Sequence, residues 1–402
     1  MYFSFYLLLI IYKYDIFDLV IYMNKIIGII AEYNPFHLGH IHQINEIKKI
    51  YPNSTIIVII SPSFTQRGDI SIINKYNKTL ICLENNIDLV VELPYPYATQ
   101  SSDIFAKGAI EILNKLKIDT LVFGSESNDI ESLKNLANIS NNDTNYHSKV
   151  KDYLNKGYNY PTAMSKALYD ITSININTPN DLLALSYLKA INKYNYNITP
   201  LSIKRTNNYH SNTLDNSNIV NASLIRKLYN EDKDISDYIA TNSLNKLIKI
   251  DYNYLYSLLR LQIINNINNL NKFQTVEEGI ENRIKKYIYK SNTWEELVKN
   301  IKTKRYTYNR INRMLIHILN NYKKIDNDNI NIDYIRILGF NNKGRKHLNN
   351  VKKNIDIKLI SNYKPNISKL LDLEFKITCN YAIITNDNEL ITKEFSSYPI
   401  RK

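Results

Sequence analysis

Only two cysteines, Cys82 and Cys379, occur in 402 residues. Two thiols cannot build a disulfide framework or a cysteine-based zinc site, and such usage fits a cytoplasmic, reducing location. Long apolar runs are missing too. The most apolar stretch, residues 1–22 (MYFSFYLLLIIYKYDIFDLVIY), is interrupted by Lys13, Asp15 and Asp18. Its unbroken part is too short to span a bilayer, and it has no basic leader or small-residue cleavage site. We expect residues 1–22 to be an extension outside the fold, translation to start at Met23, and no membrane partner. Acidic residues are the third shortage: 38 Asp and Glu face 51 Lys and Arg, a net charge of +13. That excess favours a polyanionic partner. Heavy use of Asn, Ile, Lys and Tyr reflects a biased base composition, which tempers the inference and empties N-x-S/T triplets of meaning. A chain of this length divides into two domains.

What is present centres on residues 25–50, KIIGIIAEYNPFHLGHIHQINEIKKI. Lys25 to Ala31 is a short β-branched run of buried-strand length. A polar turn with a proline follows, then His37-Leu38-Gly39-His40. From Ile41 to Ile50 the isoleucines recur at helical spacing. Strand, turn and helix N-terminus is where an α/β protein binds phosphate, because the first backbone N–H groups of the helix lack internal partners. Two histidines three apart can there stabilise charge on a phosphoryl group, as donors or as imidazolium cations. The same residues also suit surface histidines at a helix cap. No carboxylate or cysteine stands at a spacing that would complete a metal site with them, so no metal site is expected.

The next segments alternate. Thr55–Ile60, Asp88–Glu92, Thr120–Phe123 and Thr199–Lys204 read as strands, and 74–86, 101–117 and 178–191 as helices. The alternation predicts a doubly wound parallel sheet with its ligand at the carboxyl ends of the strands. Those ends carry Glu32, Asn34, the run from Ser61 to Gly68, Glu92 and Gly124. Arg67 and Lys75 are phosphate contacts or solvated charges.

The string AEYNPFHLGH resembles the HxGH nucleotidylyltransferase superfamily and, more narrowly, the bacterial tRNA(Met) cytidine acetate ligases. SPSFTQRGD, NKYNKTLICLENNIDLVVELPYPYATQSSDIFAKGAI and LVFGSES resemble further blocks of that family in the same order. The resemblance implies a nucleotidylyltransferase-like α/β domain at 23–231 and a mainly α-helical RNA-binding domain at 232–402. It implies His37 and His40 as catalytic residues. It implies an ATP site formed by Ile30, Ala31, Glu32, Tyr33, Asn34, Pro35, Phe36, His37, Leu38, Gly39, His40, Gln43, Gly124, Asn180, Arg205, Ser223 and Arg226. Gly124 matches a glycine lying against the nucleotide, Arg205 a motif arginine, and Ser223 with Arg226 a second signature. Asn180 resembles the adenosine-binding Asn, though a plain N-cap explains it equally well locally. Ala184 stands where the family usually has glycine.

Beyond Asp232 helical spacing dominates: 243–248, 252–267, 277–289, 293–301 and 306–321. From Arg283 to Lys324 a dozen Lys and Arg face only Glu295 and Glu296. Such an excess tracks a nucleic-acid backbone or marks a solvated basic face. Tyr306, Arg310 and Arg313 fall on one predicted helical face, where an aromatic among arginines can stack on unpaired bases. KTKRYTYNRINR and RILGFNNKGR resemble the family's tRNA-binding region, which implies Lys302, Lys304, Arg305, Tyr306, Arg310 and Arg313 as RNA contacts. Residues 355–402 give no clear signal.

The resemblance implies an ATP-dependent ligase that forms N4-acetylcytidine at the wobble position of elongator tRNA(Met) through acetyl-adenylate. ATP, accompanied by Mg²⁺, acetate and the tRNA would be its partners. Two rivals remain at this level: a nucleotidylyltransferase acting on a small phosphorylated metabolite without RNA, and a non-catalytic RNA-binding protein on a decayed nucleotide fold.

Overall fold

The computed structural model describes residues 24–205, 220–240, 242–328 and 330–402. The expected extension and Met23 lie outside the described residues. The eight strands are β1 (Ile26–Ala31), β2 (Thr55–Ile60), β3 (Leu89–Glu92), β4 (Thr120–Ser125), β5 (Thr199–Lys204), β6 (Tyr334–Phe340), β7 (Lys358–Ile360) and β8 (Ile400–Arg401). They form one sheet in the order β5-β4-β1-β2-β3-β6-β7, with β8 beside β6. The first five run parallel.

The longer helices of the first half are α1 (Leu38–Ile50), α2 (Lys75–Glu84), α3 (Ser102–Lys115), α4 (Ile130–Asn142), α5 (Thr144–Asn155), α6 (Tyr160–Thr172), α7 (Pro179–Lys193) and α8 (Ala222–Asn230). Strand periodicity distributes them. Ile56, Val58 and Ile60 of β2 pack with Ile44 and Ile47 of α1 and Ile81 of α2. Ile57 and Ile59 face the other way, with Phe105 of α3 and Leu185 of α7. Successive side chains of a strand alternate faces, so TIIVII is apolar on both. β5 is an edge strand, which is where Pro200 is tolerated. The order reverses between β1 and β4, opening the crevice beyond their carboxyl ends.

The second half contains α9 (Tyr252–Asn265), α10 (Ile280–Tyr287), α11 (Trp294–Ile301), α12 (Tyr308–Leu319), α13 (Asn342–Val351), α14 (Lys369–Thr385) and α15 (Glu389–Ser396). Here the structure departs from expectation. Residues 334–340 leave the helical region and pair antiparallel with β3. RILGF, read with the RNA-binding region, is therefore mostly a buried strand of the catalytic sheet, and NNKGR opens α13. Residues 243–248 form only a 3₁₀ turn at Leu244–Lys246, and Ile248 N–H bonds to Ile72 O at 2.7 Å. Tyr306 precedes α12 rather than belonging to it.

The helical bundle shares its core with the first half. Phe64, Ile70, Ile72 and Tyr95 pack among Leu259, Phe273, Leu315 and Tyr381. Gly68 shows how close the contact is. Its φ is +83°, and a Cβ there would stand 2.4 Å from Arg313 N. Gly68→Ala is expected to destabilise the chain by about 1–3 kcal/mol, through strain and displacement of α12. Urea unfolding measures it; an unchanged midpoint would contradict this packing.

Candidate active site

α1 begins at its histidines. His37 is the N-cap, and its Nδ1 accepts the Gly39 N–H at 3.1 Å. His40 returns the favour: its Nδ1 accepts the His37 N–H at 3.1 Å. This reciprocal cap satisfies two donors that a helix start leaves over. It also fixes both tautomers. With Nδ1 accepting in each neutral ring, the proton sits on Nε2, so each imidazole can donate from Nε2. The rings stack with centroids 3.7 Å apart and planes 29° from parallel. Burial, reinforced by Arg205 and Arg226, holds His37 down to about 3. Burial, then His37 and Arg205, depress His40 as well. The depressed values and the occupied Nδ1 atoms favour neutral Nε2 donors over imidazolium cations in the ligand-free chain.

A cavity of about 650 Å³ opens beside them, bordered by Ile30, Ala31, Glu32, Tyr33, Asn34, His40, Gln43, Gly124, Asn180, Arg205 and Arg226 among others. That volume suits a nucleotide-sized ligand. Eleven residues of the expected site thus meet on one wall. His37, 5% exposed, stands behind His40 rather than on the wall. Phe36 is core, packed edge-on to Tyr33. Pro35 is buried and Leu38 borders a different hollow with Ile239. Gly39 contributes its N–H to the cap. Ser223 Oγ lies 3.5 Å from Arg226 Nη2, off the wall. These six of the expected set do not border the cavity.

Asn34 has its amide committed elsewhere. Nδ2 donates to Ile70 O at 3.1 Å and Oδ1 accepts the Ile72 N–H at 2.9 Å, which ties the 64–72 loop to β1. Arg226 is partly spent as well, on Asn34 O and on Asp69 Oδ2 at 2.8 and 2.7 Å. Arg205 is better placed for an anion. Its side chain lies over Gly124, whose missing Cβ would be 3.3 Å from Arg205 Cγ, and its Nε is buried without a partner among the described residues.

A clasp joins the turn after β4 to the start of α7. Asp181 accepts from Ser125 Oγ and the Glu126 and Ser127 N–H groups at 2.5–3.1 Å. In return, Glu126 accepts from Asn180 Nδ2 at 2.6 Å and Asp181 N at 3.0 Å. Asn180 is therefore not the N-cap; Thr178 is. Ala184 is buried in the core behind this wall, while Leu182 and Leu183 border the cavity.

Several sequence readings are revised. Lys75 is not a phosphate contact: it is 1% exposed and pairs with Glu92 at 2.7 Å and Glu394 at 2.9 Å. Tyr306 cannot stack on a base, being 3% exposed with its hydroxyl donating to Glu277 O at 2.6 Å. Arg310 lies on the Tyr306 ring and pairs with Glu277 and Glu278. Arg313 Nη1 donates to Gln66 O at 3.1 Å, docking α12 on the loop after β2. The exposed aromatic of this segment is Tyr308, 56% exposed with the Lys302 ammonium 5.2 Å from its ring. Lys304 and Arg305 are exposed. Lys304 sits over Tyr158, and Thr307 and Asn309 border the cavity itself. The basic segment therefore flanks the cavity mouth.

Sequence reasoning missed Lys166 on the wall, and read Thr307 and Asn309 only as part of the RNA-binding string, whereas Gln66 lies in the run it had placed at the end of β2. It also missed Lys78, whose ammonium holds the carbonyls of Glu32 and Ser61 at 2.8 and 2.7 Å. Burial lowers that lysine to about 7. A lysine inside an apolar helical stripe was the available signal. Among the described residues no three His, Cys, Asp or Glu gather into a metal cage, and no helix is long and apolar enough to cross a membrane.

A family profile described as HIGH Nucleotidyl Transferase matches residues 24–394. A tRNA(Met) cytidine acetate ligase of Fusobacterium nucleatum is 36% identical over 93% of this chain and 97% of that relative. One from Mycoplasma mobile is 41% identical over 74% of this chain and 99% of its own. A crystal structure of Thermotoga maritima TmcAL bound with alpha-thio ATP superposes with a TM-score of 0.83 at 27% identity, covering 94% of this chain and 99% of that one.

Proposed function

From the premise that this chain belongs to the tRNA(Met) cytidine acetate ligases, within the HIGH nucleotidyl transferase family, we infer that it activates acetate with ATP and acetylates a tRNA cytidine. The chain is an ATP-dependent ligase acting on tRNA. The product is N4-acetylcytidine at the wobble position of elongator tRNA(Met). In the first step an acetate oxygen attacks the α-phosphorus of ATP, giving acetyl-adenylate and pyrophosphate. In the second the cytidine N4 amine attacks the acetyl carbonyl and AMP leaves. No side-chain nucleophile is needed, since positioning and charge stabilisation supply the rate.

The observation that carries this reading is one cavity bordered by His40 and Arg205 on the sheet side and by Thr307 and Asn309 of the basic segment on the other. His40 and the helix N-terminus face the reacting phosphate, with His37 holding His40 in place. Arg205 faces the triphosphate and Asn180 the adenosine. Mg²⁺ arrives with ATP, because the described carboxylates form no cage for it. Lys302, Lys304 and Arg305, with Tyr308 as stacking surface, hold the anticodon end. A cytoplasmic location follows from the substrate.

Purified protein given radiolabelled acetate, ATP and tRNA should show acetate-dependent ATP–pyrophosphate exchange and labelled N4-acetylcytidine. Absence of both rejects the reading. The Lys304→Glu, Arg305→Glu pair should weaken tRNA binding about 10–100-fold and flatten its salt dependence, with exchange affected far less. Equal loss in both would place these residues in ATP binding instead.

A further inference from the structure

We propose that Glu32 is the catalytic base of the acetyl-transfer step, accepting the proton that the cytidine N4 amine loses as it is acylated. This rests on the ligase reading above.

A cavity that receives a triphosphate is an unfavourable place for a carboxylate, yet one borders it. Glu32 directly follows β1, is the only carboxylate on the wall among the described residues, and is fixed at both main chain and side chain. Its carbonyl accepts from Lys78 at 2.8 Å, and its Oε1 accepts the Gln66 N–H at 2.7 Å. No other wall group among the described residues is ready to take a proton. The His40 Nδ1 lone pair is already occupied by the His37 N–H, and its Nε2 carries hydrogen. Lys166, Arg67, Arg205 and Arg226 are cations, and burial raises the phenols of Tyr33 and Tyr187. Burial also raises Glu32, opposed by Arg67 and the Gln66 N–H, which makes it a stronger base than a solvated carboxylate.

Its position fits the acceptor rather than the phosphates. Gln66, which holds the Glu32 carboxylate, is itself held through its carbonyl by Arg313, midway along α12. Glu32 and Gln66 border the same cavity as Thr307 and Asn309 of the basic segment, from which the acceptor base would enter. In the step, the N4 lone pair forms the N–C bond to the acetyl carbon. The C–O bond to the adenylate phosphate breaks, and its electron pair leaves with AMP. The surplus N4 proton goes to Glu32, which returns it to solvent.

The test uses full-length protein carrying Glu32→Gln and, separately, Glu32→Asp. Acetate-dependent ATP–pyrophosphate exchange without tRNA reads the first step and confirms a folded site. Single-turnover transfer of labelled acetate to tRNA reads the second. For Glu32→Gln, transfer should fall about 10²–10⁴-fold, at least about tenfold more than exchange falls. Wild-type transfer should decline as pH falls through the raised carboxyl value, because a protonated Glu32 cannot accept. That limb should vanish in Glu32→Gln and persist, at a reduced rate, in Glu32→Asp. Transfer unchanged in Glu32→Gln overturns the proposal. So does an equal fall in exchange and transfer, which would assign Glu32 to the Mg²⁺–triphosphate or to the wall. Wild-type protein with no acetate-dependent exchange would overturn the ligase reading itself, and this proposal with it.

Discussion

Acetate-dependent ATP–pyrophosphate exchange should fall by about 10²–10³-fold when His40 is replaced by alanine, the usual cost of removing one preorganised donor from a charge-building transition state. The cap geometry makes the ring a donor before any substrate arrives. Its Nδ1 is occupied by the His37 N–H, so the proton stands on Nε2. Stacking on His37 at 3.7 Å limits rotation, and removing either ring loosens the other. His37→Ala should therefore lose nearly as much, although His37 does not border the cavity. Losing the cap costs only about 1 kcal/mol of stability, so an unfolded variant is not expected.

The pH profile separates a neutral donor from a cation. Burial depresses both histidines below their ordinary value of 6.5. A group so depressed is already neutral through the working range. Exchange should then stay level as pH rises from about 6 to about 8, where a free histidine would lose its proton. A rate that falls across that interval would show that triphosphate binding protonates the pair, and would restore the imidazolium mechanism.

Glu394→Ala should destabilise the chain by about 3–5 kcal/mol, the cost of stripping a buried charge of its partner. Arg336 in β6 is fully buried, and its Nη1 donates to Glu394 Oε2. Lys75, equally buried, reaches Glu394 Oε1 at 2.9 Å and Glu92 Oε2 at 2.7 Å. The Tyr76 hydroxyl closes the network, donating to Glu394 Oε1 at 3.0 Å. Removing the shared carboxylate leaves Lys75 with Glu92, but Arg336 loses its direct ion-pair partner among the described residues and keeps only the longer-range field of Glu92. The urea midpoint should drop with little change in slope. A loss under about 1 kcal/mol would mean that water or local opening solvates the guanidinium. The effect should reach catalysis as well, because Lys75 and Lys78 lie on one helix and Lys78 holds the Glu32 carbonyl.

The pattern of the first half was readable because each element is locally determined. TIIVII can only be a strand covered on both faces, and HLGH after a buried strand can only open a helix there. That placement singled out Glu32, Asn34 and the two histidines, whereas Ile30, Ala31 and Tyr33 on the wall came from the family resemblance of AEYNPFHLGH. β6 was hidden for the opposite reason. Arg336 within YIRILGF breaks the apolar pattern, and Glu92 and Glu394, both far along the chain from it, make its burial tolerable. Lys75 and Arg313 failed in the same way. A cation in sequence looks solvated, and nothing local says that its partners are Glu92 and Glu394, or the carbonyl of Gln66.

Composition, strand and helix period, and the HLGH string determined by themselves that this chain builds a parallel nucleotide-binding sheet with a basic helical region after it. Those properties depend on neighbours within a turn or a strand, which the sequence prints in order. Tertiary structure alone decided which charges face substrate and which are buried in pairs, that Tyr308 rather than Tyr306 is exposed, and that the last seventy residues return to the sheet. Each of those depends on the desolvation of a side chain by residues distant in the chain, and that energy has no signature until the chain has folded.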